Sequence, residues 1–165
     1  MNFFVVSAGK PGSYYVEDNF EEIIKTNEFA LHINTNQKGT YFSIESKDVL
    51  ILKYERKFVA YGIVERRYEN PTKNFSLRAK VEEWIFFDKN NQKEGVNRSG
   101  IQKATIGGGR YGTVKTVRPN FGLDKIKEID NKHLSCQLII DRYQDTRFSL
   151  KKDGDHFSLH EELFN

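Results

Sequence analysis

Residues 48–67 read DVLILKYERKFVAYGIVERR. Two apolar runs, 49–52 and 58–64, flank the charged triplet Glu55, Arg56 and Lys57. Both runs are rich in β-branched and aromatic side chains, which suit a pleated surface. Their length and short polar connection predict a β-hairpin. Each run is apolar at consecutive rather than alternate positions, so both faces of both strands are expected to be covered. This places the hairpin at the centre of a closed or two-layered β structure. Cations sit at its turn and exit: Lys53, Arg56, Lys57, Arg66 and Arg67.

Upstream, residues 2–7 (NFFVVS) read as a buried strand, and Gly9, Pro11, Gly12 and Ser13 mark the loop after it. Phe20, Ile23 and Ile24 give residues 16–26 one apolar helical face. Residues 29–33 suit a short strand and 34–40 a polar loop. Downstream, Asn70 and Pro71 open a turn cluster, and 77–87 read as one long strand. Residues 113–117 suit a short strand and 123–132 a helix. Residues 134–143 read as a further strand with Cys136 as a small core residue on it. From 145 on, a final hairpin around Gly154 or a linker is expected.

A chain of 165 residues is most simply one domain. Residues 1–132 are expected to form it, with 133–165 as an extension packed on it. No apolar run approaches the roughly 18 residues of a membrane span. The apolar N-terminal stretch is too short for a signal peptide and lacks a basic flank, so a cytoplasmic protein with no membrane partner is expected. One cysteine precludes an intramolecular disulfide and argues against a cysteine zinc site. Net charge is +3, but residues 53–118 carry 15 Lys/Arg against 7 Asp/Glu, a net of +8, and the rest carry −5. Such segregation suggests a basic face for a polyanion, nucleic acid first. The plainer reading is a lysine-rich solvated surface.

Chemical motifs are sparse. Residues 107–112 (GGGRYG) match GxGxxG, yet a strand-like run follows where a dinucleotide site needs a helix. Thr113 stands where a phosphate-binding P-loop needs lysine, which argues against nucleotide hydrolysis. What remains is a loop whose backbone at Gly108 and Gly109 can approach a phosphate, with Lys103 and Arg110 nearby, or an ordinary surface loop. His156 and His160 have helical metal spacing but strand-like alternation, so no metal is assigned. No nucleophile with a visible base stands out, so no catalytic residue and no cofactor is assigned. Aromatic side chains are frequent, and Tyr14, Tyr15 and Tyr111 sit in loops. An aromatic pocket with a basic rim suits an unstacked base.

The order of these pieces resembles the PUA-like superfamily, in particular its EVE and YTH-like branch. Four segments carry the resemblance: NFFVVSAG with the helix after it, DVLILKY leading into KFVAYGIV, VEEWI at 81–85, and GRYGTVK at 109–115. The resemblance implies an α+β fold, a small mixed β-barrel with flanking helices. It implies a non-catalytic nucleic-acid-binding domain that recognises a modified, methylated base, more readily in DNA, flipped into an aromatic cage. Similar domains are the specificity modules of McrB-type modification-dependent restriction systems, partnered by a GTPase motor and a nuclease. On this reading Trp84, Tyr14, Tyr15 and Phe29 would stack on the base and Ser7 would bond its edge. Arg56, Lys57, Arg66, Arg67, Lys103, Gly108, Gly109, Arg110 and Lys115 would hold phosphates. The alternatives are an RNA-binding domain on the same fold and a small-ligand or protein-interaction β-barrel.

Overall fold

The computed structural model describes residues 1–8, 20–35, 37–54, 57–73, 75–87 and 114–152, with side chains to residue 146. In chain order the elements are β1 (Phe3–Ser7), α1 (Phe20–Thr26), β2 (Glu28–Leu31), α2 (Lys38–Phe42), β3 (Val49–Tyr54), β4 (Lys57–Glu69), β5 (Leu77–Val81), β6 (Ile85–Phe86), β7 (Val114–Val117), α3 (Pro119–Asp130) and α4 (Leu134–Lys152). The strands form one mixed sheet in the order β2-β5-β4-β3-β1-β7, with β6 pairing the first half of β4. β1 and β3 are parallel, and the other pairings are antiparallel. The fold is α+β, with helices flanking the sheet.

Both faces of the central hairpin are buried, as its consecutive apolar residues predict. Phe4, Val6, Leu50, Leu52, Val59, Ala60 and Val64 join Phe20 and Ile23 of α1 in one cluster. Phe3, Val5, Val49, Ile51, Phe58, Tyr61 and Ile63 join Ile126 and Ile129 of α3, and Cys136, Ile139 and Tyr143 of α4, in the other. Alternation slips once: Val59 and Ala60 face the same cluster. There the register passes from Leu52 opposite Ala60 to Lys53 opposite Phe58, leaving Val59 as a bulge. A second shift leaves Glu65 unpaired between Val64 opposite Val81 and Arg66 opposite Lys80. Bulges bend a strand and increase its twist. Between them, β4 exchanges β3 for β5 as its partner.

Several elements differ from the sequence reading. The expected barrel is an open sheet: no pairing joins β2 to β7 among the described residues. Instead the Gln37 side chain, just before α2, accepts the Val114 amide of β7 at 2.7 Å. Residues 34–40, read as loop, include the start of α2. The long strand 77–87 is two, β5 and β6. The helix read from 123 starts at Pro119, whose fixed φ suits a first turn. Residues 134–143 are helical, and the helix runs to Lys152. Cys136 is buried as expected, but on this helix. No helix among the described residues is long and apolar enough to cross a membrane.

Where β5 turns toward β6, the chain crosses close over Gly62. A Cβ there would lie 2.9 Å from Val81 Cβ and 3.0 Å from the Glu83 carbonyl oxygen. Gly62→Ala is therefore expected to destabilise the protein by about 1–3 kcal/mol through overpacking. Gly39→Ala in α2 meets nothing within 4 Å and should be neutral or stabilising by about 0.5–1 kcal/mol. Urea unfolding of the two variants beside the parent checks both signs.

Candidate nucleic-acid interface

Parallel pairing sets the C-terminal ends of β1 and β3 side by side. Ser7 lies opposite Lys53, and the Ala8 amide donates to the Lys53 carbonyl at 2.9 Å. Lys53 in turn lies opposite Phe58, and Tyr54 opposite Lys57. On the outer side, β7 places Lys115 opposite Val5. Strand alternation puts Ser7, Lys53 and Lys115 on the face shared by Phe3 and Val5. α3 covers that face and adds Lys125. Its ammonium lies 5.4 Å from the centres of the Phe58 and Phe121 rings and 3.1 Å from a Glu128 carboxylate oxygen. Lys57 falls on the opposite face beside Tyr54, whose ring stacks on Phe20 at 4.1 Å. Lys53 is buried at the root of the group, Lys57 is half-buried, and Lys115 is exposed.

The structure therefore brings Ser7, Lys57 and Lys115 to one end of the sheet and adds Lys53 and Lys125. Lys125 was missed in the sequence. Its signal is the four-residue spacing from Phe121, which aligns the two along one helix face. Tyr14, Tyr15, Arg56, Lys103, Gly108, Gly109 and Arg110 lie outside the described residues, as do His156 and His160. The residues bordering segments 9–19, 55–56 and 88–113 all stand at this same end. Ala8 is bonded to Lys53, Phe20 stacks on Tyr54, the Phe87 amide donates to the Val59 carbonyl, and Val114 pairs with Val6.

Two base-stacking candidates are core residues. Trp84 is 4% exposed, and its indole N–H donates to the Ile23 carbonyl at 3.0 Å. Phe29 on β2 is fully buried. Neither ring turns a face to solvent. Trp84 fastens α1 to the β5–β6 connection.

Arg66 and Arg67 lie elsewhere again. Nine residues, about 30 Å of strand, separate Arg66 from Lys57 along β4. The two arginines line a groove of about 370 Å³ between α2, the turn after it and the second half of β4. The Arg67 guanidinium lies 5.7 Å and 5.6 Å from the centres of the Tyr41 and Phe42 rings, and its Nε–H donates to the Ile44 carbonyl. Arg66 lies 4.8 Å from the centre of the Tyr68 ring. Glu45, Glu65 and Glu69 share the groove walls, so a polyanion meets repulsion there beside attraction. Beneath, the Tyr41 hydroxyl donates to the Arg78 carbonyl at 2.7 Å, and burial pushes its pKa from 10.0 up to about 12. Arg78 is itself buried, with Glu22 at 3.1 Å and Glu28 at 3.6 Å.

No protein-family profile and no curated protein sequence matches the chain. Among solved structures it is similar to the crystal structure of protein Atu2648 from Agrobacterium tumefaciens. Identity is 10%, the TM-score is 0.43, and the match covers 79% of this chain and 94% of that one. It is also similar to the NMR structure of Rpa0253 from Rhodopseudomonas palustris. There identity is 9%, the TM-score is 0.43, and coverage is 81% and 99%.

Trp84→Ala is expected to cost about 3–5 kcal/mol of stability, whereas Trp84→Phe should lose about 1 kcal/mol, chiefly the hydrogen bond to Ile23. Chemical denaturation resolves the two. For Tyr41 the folded pKa lies above the unfolded value. Its contribution is complete below pH 10.0 and is lost as pH rises toward about 12. Tyr41→Phe should therefore unfold with a smaller loss of stability between those pH values, measured by denaturation in a pH series.

Proposed function

We propose that this chain is a non-catalytic nucleic-acid-binding domain that holds a phosphate backbone at the C-terminal end of the β1–β3 pair. The observation that carries the reading is the placement at that end of Lys57 on one face of the sheet and of Lys115 and Lys125 on the other, around buried Lys53. Lys53 and Lys57 come from one hairpin, whereas Lys115 and Lys125 lie more than 55 residues further along the chain and are brought beside them by the pairing of β7 with β1 and the packing of α3 on Phe58. Lysine ammonium groups act as point charges toward phosphate and supply affinity without sequence information. Ser7, opposite Lys53, offers a hydroxyl beside them. The PUA-like resemblance supports the same reading and suggests modified DNA as the ligand. With Trp84 and Phe29 closed in the core, discrimination of a modified base falls to other groups.

Fluorescence anisotropy with plain and methylated, single- and double-stranded DNA and RNA oligonucleotides tests this proposal. Binding should weaken steeply with salt. A double variant, Lys57→Glu with Lys115→Glu, should bind all sequences less tightly and flatten the log–log salt slope by ~0.9 for each lost duplex phosphate contact. Absence of binding to every oligonucleotide at low salt would refute the proposal. So would a folded double variant with unchanged affinity.

A further inference from the structure

The second half of β4 has a pairing side that no strand fills among the described residues. β3 pairing ends at Val49 opposite Ile63, and Val64 then bonds the turn residues Lys47 and Asp48. β4 continues to Glu69, paired with β5 on one side. The Asn70 amide donates to the Ser76 carbonyl at 2.8 Å. Backbone groups in an antiparallel pair point alternately to the partner and away from it. Counting back from Asn70, Tyr68 and Arg66 address β5, while the N–H and C=O of Arg67 and Glu69 point outward. That direction opens on the groove of about 370 Å³, where Phe42 is 47% exposed. An unpaired strand edge beside an apolar ring is the setting in which an extended peptide adds a strand.

The charges select the occupant. Glu65, Arg67 and Glu69 run along this edge with alternating sign. A second copy laid antiparallel about Arg67 would set glutamate against glutamate and arginine against arginine, and like charges directly opposite are destabilising. A nucleic acid would meet Glu45, Glu65 and Glu69 at once. The complementary guest is a strand with a cation, an anion and a cation at alternate positions and an apolar side chain over Phe42. We propose that the edge formed by residues 65–69 docks an extended segment of a different protein with that charge pattern. This surface lies at the opposite end of β4 from the lysines, so a partner could be held while nucleic acid is bound.

The test uses the full chain, labelled with ¹⁵N. In the free protein the Arg67 and Glu69 amides should exchange rapidly with solvent; strong protection there would mean the edge is already satisfied and would overturn the proposal. The probes are the acetylated pentapeptide Lys-Val-Glu-Val-Lys, its charge-reversed counterpart Glu-Val-Lys-Val-Glu, and a ten-nucleotide single strand. The first peptide should shift both amides and slow their exchange by about tenfold or more at saturation, as expected when main-chain hydrogen bonds are added at an edge. The reversed peptide should bind at least about tenfold more weakly, a difference of about 1.4 kcal/mol. Replacing Glu65→Lys and Glu69→Lys together should invert that preference. Equal or absent responses to the two peptides would refute the charge-selected edge. Perturbation of these amides by the oligonucleotide instead would reassign the groove to nucleic acid.

Discussion

The fold depends on one strand that changes partners. β4 is 13 residues long. Its first half lies between β3 and β6, and its second half pairs with β5. The exchange falls between two bulges, at Val59 and Glu65, which bend the strand and increase its twist. Before the second bulge both faces are apolar and buried. After it, Glu65, Arg66 and Arg67 are exposed. The same constraint fixes where the two proposed binding surfaces lie, because β4 presents Lys57 at one end and its arginines at the other.

The helices complete what the bulges begin. α3 and α4 cover one face of the hairpin, so its run of consecutive apolar residues has a partner on each side. α1 and α2 cover the other with β2 and β5. Buried Arg78 holds this second layer through Glu22 of α1 and Glu28 of β2, and its Nε–H donates to the Phe75 carbonyl at 2.7 Å. Removing one partner of such a buried pair leaves an uncompensated charge, which costs more than the pair contributes. The layer is also where Asn27 matters. Its φ of 55° ends α1, its carbonyl accepts the Val81 amide at 2.9 Å, and its side chain reaches the Trp84 amide at 3.4 Å.

The central hairpin, the first strand and the helical faces around Ile23 and Ile126 were legible because apolar spacing there points one way. The last helix was not. Leu134, Cys136, Leu138 and Ile140 alternate like a strand, yet the buried stripe is Cys136, Ile139 and Tyr143, spaced by three and four. Leu134 and Leu138 are left 70% and 43% exposed. Two periodicities competed, and packing on Phe3 and Tyr61 decided between them. Trp84 was a stacking candidate through the PUA-like resemblance, but its indole N–H bonds the Ile23 carbonyl and the return of the chain past Asn27 encloses it. The lysine end was legible in part. Lys57 and Lys115 carried the right charge, but Lys125 became a neighbour through the packing of α3 on Phe58. Arg66 and Arg67 carried the same charge signal as Lys57, and local sequence could not say that β3 would stop short of them.

Nucleic-acid binding at the C-terminal end of the β1–β3 pair is the proposal on which the functional reading rests. Its most direct measurement is lysine footprinting by acetylation and mass spectrometry, with and without a bound oligonucleotide at low salt. Exposed Lys47 and Lys73 serve as internal references on other parts of the surface. Binding at this end should lower the reactivity of Lys57, Lys115 and Lys125 in the complex and leave that of Lys47 and Lys73 unchanged. Uniform reactivity of all five, or protection confined to Lys47 and Lys73, would contradict it.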